Sequence, residues 1–347
     1  MDSWYLDNLA CPRDRTSLTV ADRELVCLRS HRYPIVDGVP VMLLDDVEQT
    51  LGVAESSLRL AQLEPDSTGL YLDSVGINAE EKRGVVAMAA TGAGRVDPVV
   101  AYLIAATSGS MYKAMLGKLS RYPIPDLPLA NGNNEDLLDV GCNWGRWSIA
   151  AARRGWNVVG IDPSLGAVMS ARRVAQSMGL PIRYVVADGR FLPFPPNRFK
   201  AVYSFGVLQH LSRENVGAVL SEMARVLVPA GTCLVQMPNN LGLRSMYQQA
   251  RRRFRQPMGF EVRYWRIRDL RATFGRAMGG TTQVSIDAFG GLGIHSSDSD
   301  LMSPSKKLLI AGSEALKKIS QALPFFVYFA DSVYVRSIKA PNASTAA

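Results

Sequence analysis

From residue 136 onward, short apolar runs rich in β-branched residues alternate with longer stretches whose apolar residues recur at helical spacing. The runs are DLLDVG (136–141), NVVGID (157–162), IRYVVAD (182–188), FKAVYSFG (199–206) and TCLVQM (232–237), with helices predicted near 146–154, 165–178 and 216–227. That alternation predicts an α/β fold: a parallel sheet with helices on both faces. Two later β-rich runs, TTQVSIDAFG (281–290) and DSVYVRSIK (331–339), can complete the sheet, and a helix is predicted between them near 305–322.

Upstream the pattern changes. Residues 1–48 read as a compact unit of short strands with a turn at Asp37-Gly38. Residues 49–125 read as mostly helical, a linker or cap. Pro123, Pro125 and Pro128, then Asn131-Gly132-Asn133-Asn134, mark the entry to the third region, 126–347. Within that region 241–276 is a basic insertion and 291–330 a lid.

Composition narrows the class. Of 347 residues, 47% are hydrophobic and 20% charged, which excludes a disordered or collagen-like chain. Four cysteines are too few for a disulfide framework and suit a reducing compartment. No apolar run approaches the roughly 20 residues of a membrane span, and the start lacks a basic-then-apolar leader. The expectation is a cytoplasmic protein. Its net charge of +8 is localised: residues 244–276 hold ten arginines and two acids, so the remainder is neutral. Such a patch attracts anions, although a solvated basic helix looks the same in sequence.

The sharpest local signal is LLDVGCNWGRW (137–147), an apolar strand running into a glycine turn and then a helix. The spacing is Gly-x-x-x-Gly and not the dinucleotide fingerprint Gly-x-Gly-x-x-Gly. Asn143 stands mid-turn, and asparagine tolerates the left-handed backbone. Asp139, Asp162 and Asp188 end three successive strands. Carboxylates so placed can hold ribose hydroxyls and an adenine amino group, which points to a nucleoside crevice.

With DVGCNWG, GIDPS, VVADGRFLPF, FGVLQHL and EMARVLVPAGTCLVQMPN in place, residues 136–240 resemble a class I S-adenosylmethionine-dependent methyltransferase of the small-molecule type. The resemblance implies a seven-stranded Rossmann-like sheet with its last strand antiparallel. It implies S-adenosyl-L-methionine as cofactor, with Asp139, Gly141 and Gly145 at the methionine part, Asp162 at the ribose and Asp188 with Gly189 beside adenine. Cys142 and Asn143 line the same loop, and Phe205 is counted with these residues. Asn143 departs from a position often held by glycine.

Methyl transfer from a sulfonium needs alignment and exclusion of water, and a general base when the acceptor is a hydroxyl. His210 and His295 each follow a strand and are the candidate bases; Asp298 and Asp300 are weaker alternatives. His210 can equally pack on the cofactor or cap a helix. The fourth strand ends in Ser204-Phe205-Gly206-Val207, without the Asn/Asp-Pro-Pro-Tyr/Phe common in amino-group methylation, and so favours oxygen or carbon. Arg251, Arg252 and Arg253 are candidates for holding an anionic acceptor by forked hydrogen bonds. A weaker resemblance over the whole chain, to bacterial methyltransferases of polysaccharide or glycolipid assembly, implies a hydroxyl on a nucleotide- or lipid-linked saccharide, with peripheral contact to a membrane-linked substrate. The alternatives are an RNA methyltransferase using the arginines as a phosphate track, against which the fourth strand and the neutral remainder count, and a non-catalytic partner protein.

The first unit resembles the small zinc-ribbon-like domain of tRNA and protein methyltransferase activator subunits, through Tyr33-Pro34-Ile35, Asp37-Gly38 and Pro40. Its metal pattern is degenerate. Two Cys-x-x-Cys pairs would need cysteines where Asp14 and Ser30 stand. A set of Cys11, Asp14, Cys27 and His31 is conceivable, but the unit reads as a metal-free relic held by its small core.

Overall fold

The computed structural model describes residues 1–63, 68–92, 95–107, 115–116, 118–290 and 295–341. By compactness the chain divides into 1–198 and 199–347. Its sheets are a four-stranded antiparallel one near the N-terminus and a seven-stranded, mostly parallel one.

The first unit opens with α1 (Trp4–Asn8) and the small sheet β1 (Leu18–Ala21), β2 (Glu24–Cys27), β3 (Arg32–Val36) and β4 (Val39–Pro40), in that spatial order. Asp37 and Gly38 both take positive φ, which makes the predicted turn between β3 and β4. Among the described residues three α-helices follow: α2 (Gly52–Ala61), α3 (Ala79–Thr91) and α4 (Pro98–Thr107). An Asn78–Glu81 capping box starts α3, and the Asp97 carboxylate accepts from the Val99 and Val100 amides at the start of α4. Then come β5 (Asp136–Val140), α5 (Arg146–Ala152), β6 (Asn157–Asp162), α6 (Leu165–Ser177) and β7 (Arg183–Val186), with β6 parallel to both β5 and β7.

The N-terminal segment does not stand apart from this unit. Val41 bridges Val186 in parallel, and the Met42 amide donates to the Val186 carbonyl at 2.7 Å, so the chain after β4 continues the sheet beyond β7. The Tyr5 hydroxyl donates to the Tyr184 carbonyl at 2.9 Å. Val36, Val39, Val41 and Leu43 share one apolar core with Cys142, Leu165, Tyr184 and Val186. An unpaired edge is thereby covered.

The second unit holds β8 (Phe199–Ser204), α7 (Arg213–Val226), β9 (Leu227–Pro238), α8 (Leu243–Arg251), α9 (Ile267–Met278), β10 (Gly279–Ala288), α10 (Pro304–Ala322) and β11 (Ser332–Lys339). β8 and β9 are parallel, whereas β11 lies antiparallel between β9 and β10. The last strand is thus antiparallel, as the resemblance implied. Residues 291–294 of the predicted lid lie outside the described residues. Among the described residues no helix is long and apolar enough to cross a membrane.

Candidate cofactor site and flanking loops

The turn after β5 is built by its backbone. Gly141, Asn143 and Gly145 all have positive φ, at 77°, 50° and 83°. Asn143 therefore adopts the left-handed conformation expected of it, and its side-chain oxygen accepts from the Trp144 amide at 2.9 Å. Gly145 is required twice over. Its φ disfavours a side chain, and a Cβ there would lie 2.5 Å from the Tyr184 hydroxyl. The Gly141 and Cys142 amides both donate to the Ile161 carbonyl at 2.8 Å, which ties the turn to β6.

Asp162 ends β6. Its two oxygens accept from the Asn143 amide at 3.0 Å and the Ser164 amide at 2.9 Å. An ionised carboxylate has about two acceptor sites per oxygen, so one on each remains for a pair of vicinal hydroxyls. Burial raises this carboxyl to about 6 against those two bonds. Asp139 is more enclosed, 1% exposed, and accepts from the Ser148 hydroxyl at 2.6 Å. Burial, with the Asp162 charge adding to it, lifts Asp139 to about 7. Both carboxyls thus change charge close to neutral pH.

The remaining candidates in this unit fall into two groups. Asp188 is gripped by Arg190, whose Nε and Nη2 donate to one oxygen at 3.0 and 2.7 Å and whose amide donates to the other at 2.8 Å. Gly189 sits between the two. The Cys142 side chain faces the core shared with Tyr184 and Leu165, so only its backbone belongs to the turn; burial pushes its thiol well up.

Sequence reasoning missed the clasp around the start of α6. The Ser57 hydroxyl accepts from the Leu165 amide at 2.9 Å and donates to the Pro163 carbonyl at 2.7 Å. The Ser74 hydroxyl accepts from the Gly166 amide at 2.8 Å. Two serines from the helical segment thus satisfy amides that a helix start leaves open, just past Asp162. Gly166 permits the approach: a Cβ there would lie 2.6 Å from the Tyr71 carbonyl and 2.5 Å from Val75. The signal available in sequence was the glycine in GIDPSLG, with nothing to say what would lie against it.

In the second unit, the Phe205 ring lies 5.3 Å from the His295 ring and 6.4 Å from Tyr334. Gly206, next to it, donates its amide to the Gln236 side chain at 3.1 Å. His210 stacks on Phe260 at 3.7 Å; its Nδ1 is 2.7 Å from the Phe260 carbonyl and its Nε2 3.1 Å from the Gln209 amide nitrogen. A protonated Nδ1 donating to the carbonyl leaves Nε2 to accept from Gln209. Burial pushes His210 down to about 4, so the ring is neutral at pH 7. His295 and His210 are on separate loops, and Asp298 is buried whereas Asp300 is exposed.

Much of the arginine stretch is internally engaged. Arg255 forks onto Glu261 at 2.7 and 2.6 Å, Arg252 donates to the Val262 carbonyl at 3.0 Å, and Arg263 donates to the His210 carbonyl at 2.6 Å. Arg251 and Arg253 are exposed, with Arg251 over the Tyr247 ring.

The glycine cradle, the open lone pairs of Asp162 and the buried Asp139 fit an adenosyl sulfonium: hydroxyls meet an acceptor pair, and a positive charge meets carboxylates. Residues 137–231 match the family model described as a methyltransferase domain. Among known proteins, the chain is similar to the ubiquinone biosynthesis O-methyltransferase of Azorhizobium caulinodans, 30% identical over 103 residues, which is 30% of this chain and 40% of that one. It is also similar to the demethylmenaquinone methyltransferase of Thermus thermophilus, 35% identical over 102 residues, 28% of this chain and 45% of that one. The match thus spans less than half the length of these curated relatives. Among solved structures, phosphoethanolamine N-methyltransferase 2 of Haemonchus contortus in complex with S-adenosyl-L-methionine aligns with a TM-score of 0.43 at 19% identity, over 61% of this chain and 50% of that one. The family match thus covers the stretch that holds the glycine turn, Asp139, Asp162 and Asp188.

Proposed function

We propose that the protein methylates a hydroxyl oxygen on a small, lipid-borne acceptor, with a lipid-linked saccharide as the acceptor class. The carrying observation is the end of β8, where Ser204-Phe205-Gly206-Val207 takes the place of an amino-methylating motif and Gly206 is held by Gln236. The likeness to O-methyltransferases supports oxygen. That these relatives are enzymes of ubiquinone biosynthesis favours a second reading, an aromatic hydroxyl on a polyprenyl-type carrier.

The cofactor, when bound, supplies a methyl already activated by the sulfonium charge. The chain's own residues do the positioning. Asp162 takes the ribose hydroxyls on its two remaining lone pairs, Asp139 places negative charge near the sulfonium-bearing part, and the Gly141–Gly145 backbone allows close approach. Asp188, held by Arg190, orients the adenine side. A hydroxyl nucleophile needs its proton removed as it attacks. His295, beside Phe205, is the better base; both His210 nitrogens are committed to loop bonds, and its low affinity for protons suits a strut.

The lipid carrier is supported by the surface of the second unit. Leu308, Leu309, Leu316 and Ile319 line the outward side of α10, Leu308 being 76% exposed, and Phe325 and Phe329 continue the exposed apolar row. Lys307 and Lys318 flank it. An apolar face edged by lysines suits an anionic bilayer surface. The Asn239 side chain donates to the Tyr328 carbonyl at 2.7 Å, which ties the end of β9 to the segment after α10, and Leu243 at the start of α8 is also exposed.

The test is incubation of purified protein with methyl-labelled S-adenosylmethionine and a total cell extract, followed by solvent partition. Base-stable label in the lipid phase is expected, released with sugar by mild acid for the saccharide and retained on the ring for the second reading. Label confined to RNA or to the aqueous metabolite phase overturns the proposal.

A further inference from the structure

The N-terminal unit reads in sequence as a relic without metal, yet it assembles four donor atoms. Cys11 and Asp14 lie in the turn after α1; Cys27 ends β2; His31 precedes β3. The ligand atoms of all four lie within 4.8 Å of one another. His31 Nδ1 is 3.5 Å from Cys11 Sγ, 3.3 Å from Cys27 Sγ and 3.3 Å from Asp14 Oδ2, and Cys27 Sγ is 3.5 Å from Asp14 Oδ2.

These separations are the edges of a coordination tetrahedron. Zinc bonds of about 2.3 Å to sulfur and about 2.0–2.1 Å to nitrogen or oxygen give edges of about 3.5 Å for sulfur–nitrogen and sulfur–oxygen, and about 3.4 Å for nitrogen–oxygen. These four of the six edges agree to within a few tenths of an ångström, and the other two, from Cys11 Sγ to Cys27 Sγ and to Asp14, are no longer than 4.8 Å. In sequence this set was only conceivable, because the fourth donor is His31, one residue past the place where a Cys-x-x-Cys pair would end.

The surroundings are those of a metal site as well. Asp14 Oδ1 accepts from the Thr16 hydroxyl at 2.7 Å and its amide at 3.0 Å, which leaves Oδ2 turned to the cluster. The His31 amide donates to Cys27 Sγ at 3.3 Å, and the Tyr33 hydroxyl lies 3.1 Å from Cys11 Sγ. Donors aimed at sulfur stabilise thiolate, the form that binds metal. Cys11 is fully buried, Cys27 and Asp14 nearly so, and only His31 reaches solvent.

We propose that Cys11, Asp14, Cys27 and His31 bind one zinc ion in a closed, structural site. Four protein donors leave no position for a substrate, and two thiolates favour zinc over magnesium or calcium. The ion joins the 11–16 turn to the β2–β3 hairpin and so rigidifies the segment that covers β7. The inference is independent of the acceptor's identity.

The experiment uses the full chain, untagged and purified without chelator, then incubated with zinc and desalted. Close to one equivalent of zinc per chain is expected, and cobalt substitution should give the intense visible bands of tetrahedral coordination with a sulfur-to-cobalt charge-transfer band. Chelation should lower Tm. Tyr33→Phe should weaken zinc binding about 10–100-fold without unfolding the protein. Asp14→Cys should retain one equivalent with a stronger charge-transfer band. Less than about a tenth of an equivalent after reconstitution, or a pale octahedral cobalt spectrum, overturns the proposal, and neither readout needs a destabilised variant or an assay of methyl transfer.

Discussion

The turn after β5 and the arginine stretch after β9 both follow strands and both are candidates for binding a ligand, but they use different materials. The first is backbone: three left-handed residues, a glycine whose Cβ would strike Tyr184, and a carboxylate whose bonds fix the turn to the next strand. The second is side chain: guanidinium groups, several paired to Glu261 or to backbone carbonyls of their own and a neighbouring loop. A backbone cradle tolerates almost no substitution, whereas an exposed arginine can be exchanged at small cost. The two regions should therefore differ by orders of magnitude in sensitivity.

Asp162→Asn tests the strict side most severely. An amide group would turn an N–H toward one of the two backbone amides that Asp162 now accepts, and would lose an acceptor for the ribose. Calorimetry should show donor affinity reduced about 100-fold or more, the scale of leaving buried polar groups unpaired. Retained affinity would mean that the turn does not hold the nucleoside. Gly166→Ala comes next. Its Cβ would press on the Tyr71 carbonyl and on Val75, at a cost of about 1–3 kcal/mol in stability. Chemical denaturation should show it, and an unchanged midpoint would mean that the helical segment shifts freely.

The pH dependence sharpens the same contrast. Asp162 titrates near 6 and Asp139 near 7, both raised by burial above an ordinary carboxyl. A raised carboxyl stabilises the fold while protonated, so this contribution declines as pH rises from about 4 to 7. Donor binding needs the charged forms and runs the other way. Between pH 5.5 and 8 donor affinity should rise about tenfold or more while the Tm of the free protein falls, a pairing that exposed arginines cannot produce. Parallel trends would contradict the placement of these carboxyls. On the tolerant side, a combined Arg251→Ala and Arg253→Ala change should raise acceptor KM a few-fold and leave donor affinity untouched. Unchanged KM would remove these two from acceptor binding.

What the sequence made legible follows this division. Strand and helix positions from 136 onward were readable because a sheet buried on both faces demands apolar runs at fixed spacing. DVGCNWG and GIDPS were readable because a tight turn beside a carboxylate admits few residue types. Ser57 and Ser74 were not, because any serine in a helical segment looks alike until its partner amide is known. The commitment of Arg252, Arg255 and Arg263 was hidden for the same reason: charge is written in the chain, pairing is not. The likeness of 1–48 to a separate module also concealed how far Val36, Val39 and Val41 enter the core around Tyr184.

His210 is the residue whose standing changed most between chain and structure, and its substitution carries the smallest expected effect. In sequence it follows the fourth strand, where a general base belongs. In the structure Nδ1 meets the Phe260 carbonyl and Nε2 meets Gln209, the ring stacks on Phe260, and burial brings its titration down to about 4. A base so weak gains little by taking a proton near neutral pH, and using Nε2 would first break the Gln209 bond. His210→Gln, which can keep a donor to the carbonyl, should leave kcat within about threefold and the shape of the pH–rate profile unchanged, since general-base catalysis contributes typically 10²–10⁴-fold. His295→Gln should lower kcat by that larger factor with donor affinity intact. If His210 shows the large loss and His295 the small one, the roles of strut and base are reversed, and the loop at Phe260 must open before reaction.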